Sequence, residues 1–502
     1  MKSVLMLMNS MGRSFEENPL LKWLRESESD VERKLWLGIF SAPFVMHFSD
    51  LNRYHISYGD EAAGDRHRTV LNQHAAEDMT HSELFVKDFS TLGWEQHFGS
   101  SPRLMDFLYT HPDLAQLRAA IAELTSLVIH SQDPAARFAV VEAIEASGNG
   151  LFRHTAPLAL EYRKRTGKEL VFWGDHHLTL ENGHTMTSDE EAFAGLRLDK
   201  QRRAQVTTAA TETFRILDDL GYEMMRLVQD AVERTGLPDI STAHDTSPKD
   251  SKAATLTKAH PWCQSSTLHP SHGPTAQALA ELVASAERSA LTLHLREAAH
   301  SASFAALRRF MPALALDVCA RRTLYDHTLP FRRPLDHAQR RVGTLARLIG
   351  PSTASLFTDW QNLDMDGHLQ WSATDCLRYL FLEPGTEPVR ALHATLTRHF
   401  TADDINVRLW AAAAASALSI AFNNALAGLG RAVQDAEGLS LPFLSAPDLS
   451  AWPVDGAYNL LEPAGGPSTE RATAAVRSIA EALQQRDDVL FRYCLDAPAL
   501  GH

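Results

Sequence analysis

The chain has 502 residues, 48 Lys and Arg against 62 Asp and Glu, and four cysteines. That length sets an expectation of two or three domains with ample core. The net charge of −14 argues against a nucleic-acid or anionic-membrane partner, which needs a Lys/Arg surplus, and the scattered Cys263, Cys319, Cys376 and Cys494 argue against a disulfide framework or thiolate zinc site and for a reducing cytoplasm.

From the N-terminus, MKSVLMLMNSMGRSFEENPLL holds only five apolar residues in a row before Asn9, too few for a signal-peptide core. Further on, LAQLRAAIAELTSLVI, RFAVVEAIEA, ETFRILDDLGYEMMRLVQDAVERTG and ATAAVRSIAEALQQ repeat apolar residues at helical spacing, and almost nothing alternates as a strand does. The predicted fold class is all-α. Residues 236–274 are rich in Pro, Ser, Thr and His without periodicity, which marks a linker or long loop. The expected organisation is a domain over 1–238, a linker over 239–274 and a second helical domain over 275–502. The apolar stretch Leu409–Gly430 has the length of a membrane span, but Asn423, Asn424 and two serines interrupt it, so a buried helix is expected.

Three segments of the first half carry metal-ligand residue types. In His74-x2-Glu77-x3-His81, the three side chains fall at roughly 0°, 300° and 340° around one straight helix. In VEAIEASGNG, Glu142 and Glu145 stand one turn apart among Ala, Val, Ile and Phe. In His177-x3-Glu181-x2-His184, the angles are roughly 0°, 40° and 340°. A carboxylate in so apolar a helix is costly unless paired or bound to a cation. Imidazole and carboxylate without thiolate suit iron or manganese held between facing helices. Taken singly, the first motif also reads as a solvated face, and Glu142 and Glu145 as partners of Arg137 or Arg153. All three together point to two ions. The 24 histidines, about twice ordinary usage, divide evenly, 12 in residues 1–238 and 12 beyond, so enrichment alone locates nothing.

The two halves are alike. ARFAVVEAIEASGNGLFRHTAPLALEYRKRTGKELVF lies on VRLWAAAAASALSIAFNNALAGLGRAVQDAEGLSLPF without gaps at an offset of 271, with Arg137 on Arg408, Gly167 on Gly438 and Phe172 on Phe443. Upstream, HAAEDMTH lies on QNLDMDGH (Gln361–His368) at an offset of 287, and APFVMHFSDLNRY loosely matches MPALALDVCARRTLY. Duplication of a helical domain accounts for this. Glu142 then meets Ala413, and Glu145 meets Ser416. His177, Glu181 and His184 fall on Asp448, Trp452 and Asp455. The second domain is expected to be non-catalytic, a covalent stand-in for the partner subunit of a dimer.

The order of these motifs resembles the haem-oxygenase-like di-iron oxidases and oxygenases. FSDLNRY, LNQHAAEDMTH, VEAIEASGNG and FWGDHHLTLENGHTM are similar to a branch known as iron-containing redox enzymes, and the likeness spans about residues 35–235. It implies a bundle holding two iron ions, with manganese as the alternative metal. It also implies O2 as co-substrate, an external electron donor and a small organic substrate. By position, Glu77 and His81 would come from the first helix, Glu142 or Glu145 from the second, and His177, Glu181 and His184 from the third. The usual third-helix carboxylate is Asp, and Glu181 is one methylene longer. His74, Asp175 and His176 are expected to orient the ligands. A His about ten residues after the second-helix Glu serves some relatives; His154 would do so only if Gly148 and Gly150 re-phase the helix. The resemblance ranks N-oxygenation of an amine or amino-acid-derived group above desaturation or oxidative C–C cleavage. Competing readings are a cofactor-independent thiaminase-like or quinone-cofactor-synthase-like enzyme and a non-enzymatic haem- or metal-binding protein. Phe44, Phe48, Phe152, Phe172 and Trp173 are the apolar residues expected nearest the site.

Overall fold

A computed structural model describes residues 1–183, 192–234, 236, 273–351, 353, 355–364, 372–445 and 467–495. Among them every regular element is helical, as the apolar periodicity predicts. They divide into two compact units: Met1–Ile240 with Trp371–Leu382, and Ser241–Gln370 with Glu383–His502. The expected domain 275–502 is therefore interrupted, because 371–382 belong to the first unit. Most of the expected linker over 239–274 lies outside the described residues.

Unit 1 contains α1 (Lys2–Phe15), α2 (Pro19–Glu26), α3 (Val31–Leu35), α4 (Leu37–Leu51), α5 (Arg66–Asp78), α6 (His81–Thr91), α7 (Glu95–Phe98), α8 (Ser101–Tyr109), α9 (Ala115–His130), α10 (Pro134–Thr166), α11 (Asp175–Gly183) and α12 (Lys200–Glu233). The long α10 starts where Asp133 caps it and Pro134 fills its first turn, where a missing N–H costs nothing. It ends at Gly167, whose φ of 75° lies in the left-handed region that glycine adopts without penalty. It runs unbroken through Gly148 and Gly150. α12 packs along it, α1 crosses both, and α4, α6 and α9 complete the bundle.

Unit 2 contains α13 (Pro274–Ala286), α14 (Ala290–His300), α15 (Phe304–His327), α16 (His337–Ile349), α17 (Leu356–Leu363), α19 (Glu387–Phe400), α20 (Ile405–Ala417), α21 (Ile420–Glu437) and α22 (Pro467–Leu495). The intervening α18 (Ala373–Phe381) packs in unit 1 on α4, α6, α7 and α8. Ile405–Glu437 is, among the described residues, the only stretch long and apolar enough to cross a membrane, and 78% of its apolar window is buried. The turn at Leu418–Ser419 breaks it into α20 and α21.

The units repeat the same contacts at a nearly constant spacing. Asp65 caps α5 and Asp336 caps α16, and both bounds of these helices match at 271. The Nε–H of Arg137 donates to Ser131 O while the guanidinium lies 3.8 Å over the Tyr58 ring. Arg408 does the same with Ala402 O and, at 3.8 Å, the Phe331 ring. Asp88 accepts from the N–H of Val171, Phe172 and Trp173, and Asp359 from that of Leu444, which is Trp173's counterpart. This register corrects the sequence alignment upstream of α10. α5 pairs with α16, so HAAEDMTH corresponds to 345–352 and not to Gln361–His368, and the change of offset from 271 to 287 disappears. His74 and Asp78 then become Leu345 and Ile349.

α18 is the counterpart of α8 at an offset of 272, and its Phe381 stacks on the equivalent Tyr109 with centroids 6.5 Å apart. Thr374 donates to Glu95, and Cys376 is fully buried, its thiol pushed up to about 12 by that burial against a bond from Ser101. A fragment ending at residue 240 lacks this helix and uncovers the apolar surface beneath it. Its melting temperature is expected to lie several degrees below that of unit 1 in the full chain, by calorimetry. An unchanged value would mean that α18 adds no stability.

Candidate metal centre

Three helix ends and one long helix bring ligand-type side chains together. α5 stops at Asp78, Met79 and Thr80 make a turn, and His81 opens α6. The straight-helix arithmetic for 74–81 therefore fails after Asp78. Within α5, the residue i+4 from His74 is Asp78, and that carboxylate turns inward, 2% exposed. Glu77 does not join it: it is half-buried and accepts from Gln73 at 3.2 Å. Asp78 is thus the acidic residue the sequence reading missed; its i+4 spacing from His74 was the available signal.

His74 Nε2 lies 3.0 Å from Asp78 Oδ2 and 3.5 Å from Glu145 Oε1. His81 Nδ1 lies 3.9 Å from Asp78 Oδ1 and 3.3 Å from His177 Nε2. Asp78 thus faces a His74/Glu145 group with one oxygen and a His81/His177 group with the other. Both its oxygens are buried and neither takes part in a hydrogen bond of sound geometry. Neighbouring ligands of one ion, at metal–ligand distances of about 2.0–2.2 Å, stand roughly 3.0–3.4 Å apart. The spacings of His74 from Asp78 and of His81 from His177 match that edge. His74, Asp78 and Glu145 alone form a group able to hold an ion. Imidazole and carboxylate donors with an orphaned buried carboxylate fit a non-thiolate divalent metal.

Among the other expected ligands, Glu142 is buried one turn before Glu145 on α10, outside that three-residue group. Glu181 lies on α11, its side chain outside the described residues, as is the whole of His184. His74 belongs in the cluster itself and not behind it. Asp175 and His176 are exposed at the start of α11, so neither stands behind the ligands. His154 is turned away onto Glu16, 3.2 Å distant, because α10 keeps its phase through the glycines. Arg153 also pairs with Glu16, at 2.8 Å.

Asp88 does the orienting instead. By gathering three successive N–H groups it fixes the 171–173 turn, and Phe172 O of that turn lies 3.0 Å from His177 Nδ1. A carbonyl only accepts, so Nδ1 carries the proton and Nε2 presents its lone pair inward. Burial pushes the Asp88 carboxyl up to about 6, with the three N–H groups opposing it.

A cavity of about 120 Å³ opens beside His81, Glu145 and His177. Phe44, Phe48, Phe152, Phe172 and Trp173 all line it, as expected from the sequence.

In unit 2 the corresponding ground is filled differently. Leu345, Ile349, Ala413 and Ser416 stand where His74, Asp78, Glu142 and Glu145 do. The cavity residues Phe48 and Leu217 match Asp317 and Arg486 at an offset of 269, the spacing that also pairs Pro43 with Pro312 and Arg202 with Arg471; these two arginines bridge to Asp133 and Asp404, which match at 271. Asp317 binds Arg321 and Arg486, each at 2.7 Å, and His393 at 3.3 Å. The two arginines hold its carboxyl well below the usual range against complete burial. Each member of this buried cluster is thus paired within it, and among the described residues no group able to hold a metal is found in unit 2.

No known family model matches the chain, and no curated protein is significantly similar to it in sequence.

Because burial favours the neutral Asp88 carboxyl, its contribution to stability is full below about pH 4 and is lost as pH rises through about 6. Wild type should therefore gain on Asp88→Asn by about 1 kcal/mol between pH 7 and pH 5, read by urea denaturation. A gain in the opposite direction would show that the backbone bonds outweigh burial.

Proposed function

We propose that unit 1 is an O2-dependent non-haem di-iron oxidase or oxygenase of the haem-oxygenase-like type, and that unit 2 is a tandem copy without a metal site. The observation that carries this reading is Asp78, a buried carboxylate whose two oxygens face two separate groups of His and Glu donors. The apolar cavity against the same donors supports a small organic substrate. The resemblance places N-oxygenation first among the reactions, with desaturation and C–C cleavage behind it.

On this reading, His74, Asp78 and Glu145 would hold one iron and His81 and His177 the other, with Asp78 facing both sets of donors; Glu142 stands one turn away. Bound iron supplies activation of O2, and manganese is the alternative metal. The protein's own part is positional. Asp88 and Phe172 O fix the tautomer of His177, and the aromatic wall excludes water from the donor face. The loss of every described ligand position in unit 2 supports one centre per chain, and the packing of α18 in unit 1 supports a supporting role for the second half.

The test is anaerobic loading with Fe(II) and metal analysis, followed by rapid mixing with O2. Two irons per chain and a transient visible absorption are expected. Asp78→Ala should lose at least one iron, whereas Glu77→Ala should keep both. Four irons would restore a site to unit 2, and none would end the metal reading.

A further inference from the structure

The cavity beside the metal donors is unusual in what it lacks. Among the described residues, apart from His81, Glu145 and His177, its polar side-chain groups are the hydroxyls of Ser41 and Ser147 and the indole N–H of Trp173, a donor that carries no charge. Both hydroxyls are already used: Ser41 donates to Gly38 O at 3.0 Å, and Ser147 to Ala143 O at 2.8 Å. No Lys or Arg is among the described lining residues, and the rest of these are Phe, Leu, Ile, Val, Met, Trp and Gly. In the metal-free protein a substrate carboxylate would find no cationic side chain among the described lining residues, and an α-amino-acid head would bring two charges to a wall with one carboxylate. Burying an unpaired charge costs several kcal/mol, far more than a ring's worth of apolar contact restores. The size of the space points the same way, since a cavity of about 150 Å³ takes up benzene, and this one is about 120 Å³.

We infer that this cavity binds the uncharged aryl or short alkyl portion of the substrate, with the reacting atom toward His81 and His177. The substrate class is a small neutral molecule, such as an arylamine, and excludes free amino acids and carboxylates. This rests on the di-iron reading for the reaction but not for binding. Gly148 sets the capacity of the site. It lies on the cavity wall, and a Cβ added there would meet only Phe152 Cε2, at 3.7 Å, an ordinary contact. A larger side chain at 148 is therefore compatible with the fold and projects into the space the ring would fill.

The experiment is calorimetric titration of the full-length protein, metal-free and iron-loaded, with aniline, benzoate and L-phenylalanine, which offer one ring with a neutral, an anionic and a zwitterionic head at pH 7.5. Aniline should bind at least about tenfold more tightly than the other two, and Gly148→Leu should weaken it at least tenfold while circular dichroism and iron content stay as in wild type. Equal or tighter binding of benzoate or L-phenylalanine overturns the inference. So does aniline binding that Gly148→Leu leaves unchanged, or no binding of any probe. Iron content, counted on the same samples, separates the two ideas: aniline bound without iron uptake removes the di-iron reading and keeps the pocket, whereas two irons with charged probes preferred does the reverse.

Discussion

Much of unit 1 depends on one buried carboxylate gathering the backbone of a turn. Asp88 holds the N–H groups of residues 171–173, and that turn places Phe172 and Trp173 against the cavity and aims His177. Without a fixed acceptor, three successive buried donors would each lack a partner. Unit 2 keeps the device in Asp359, whose carboxyl burial also pushes up to about 6, although the ligands it would serve are missing. The turn is thus a requirement of the fold first. A metal centre built on it inherits a rigid corner.

The two units show how one helical frame accommodates opposite interiors. In unit 1, polar donors on α5, α6, α10 and α11 converge beside an apolar void. In unit 2, Asp317, Arg321, His393 and Arg486 neutralise one another. Buried ion groups of this kind stabilise weakly if at all, but removing one member leaves a stranded charge. That asymmetry makes the cluster intolerant of single substitutions, and its ion pairs tie α15, α19 and α22 together.

How legible this was in the sequence differs by feature. Helix periodicity identified the architecture, because apolar stripes report burial directly. The likeness of residues 137–172 to 408–443 was visible because Arg137, Gly167 and Phe172 have geometric jobs that their counterparts repeat. The upstream register was misread: HAAEDMTH and QNLDMDGH share letters, whereas α5 and α16 share only a capping Asp and a length. Asp78 was missed for a related reason. Extending one helix from 74 to 81 favoured Glu77, and nothing in the letters announces the turn at Met79–Thr80. Glu145 stood out because a carboxylate amid apolar neighbours carries its own anomaly, whereas His81 and His177 were reached through helical spacing, which holds within α11 but not across the turn before His81.

The placement of α18 has a consequence for how the chain comes into being. Unit 1 is complete only when residues 371–382 have joined it, long after residue 240 has left the ribosome. At about 5–20 residues per second, that is a delay on the order of ten seconds. During this interval the surfaces of α4, α6 and α8 that will receive α18 are uncovered in the nascent chain. The first unit to be synthesised thus cannot be finished until more than a hundred residues of the second have been made, and its maturation is timed by their translation.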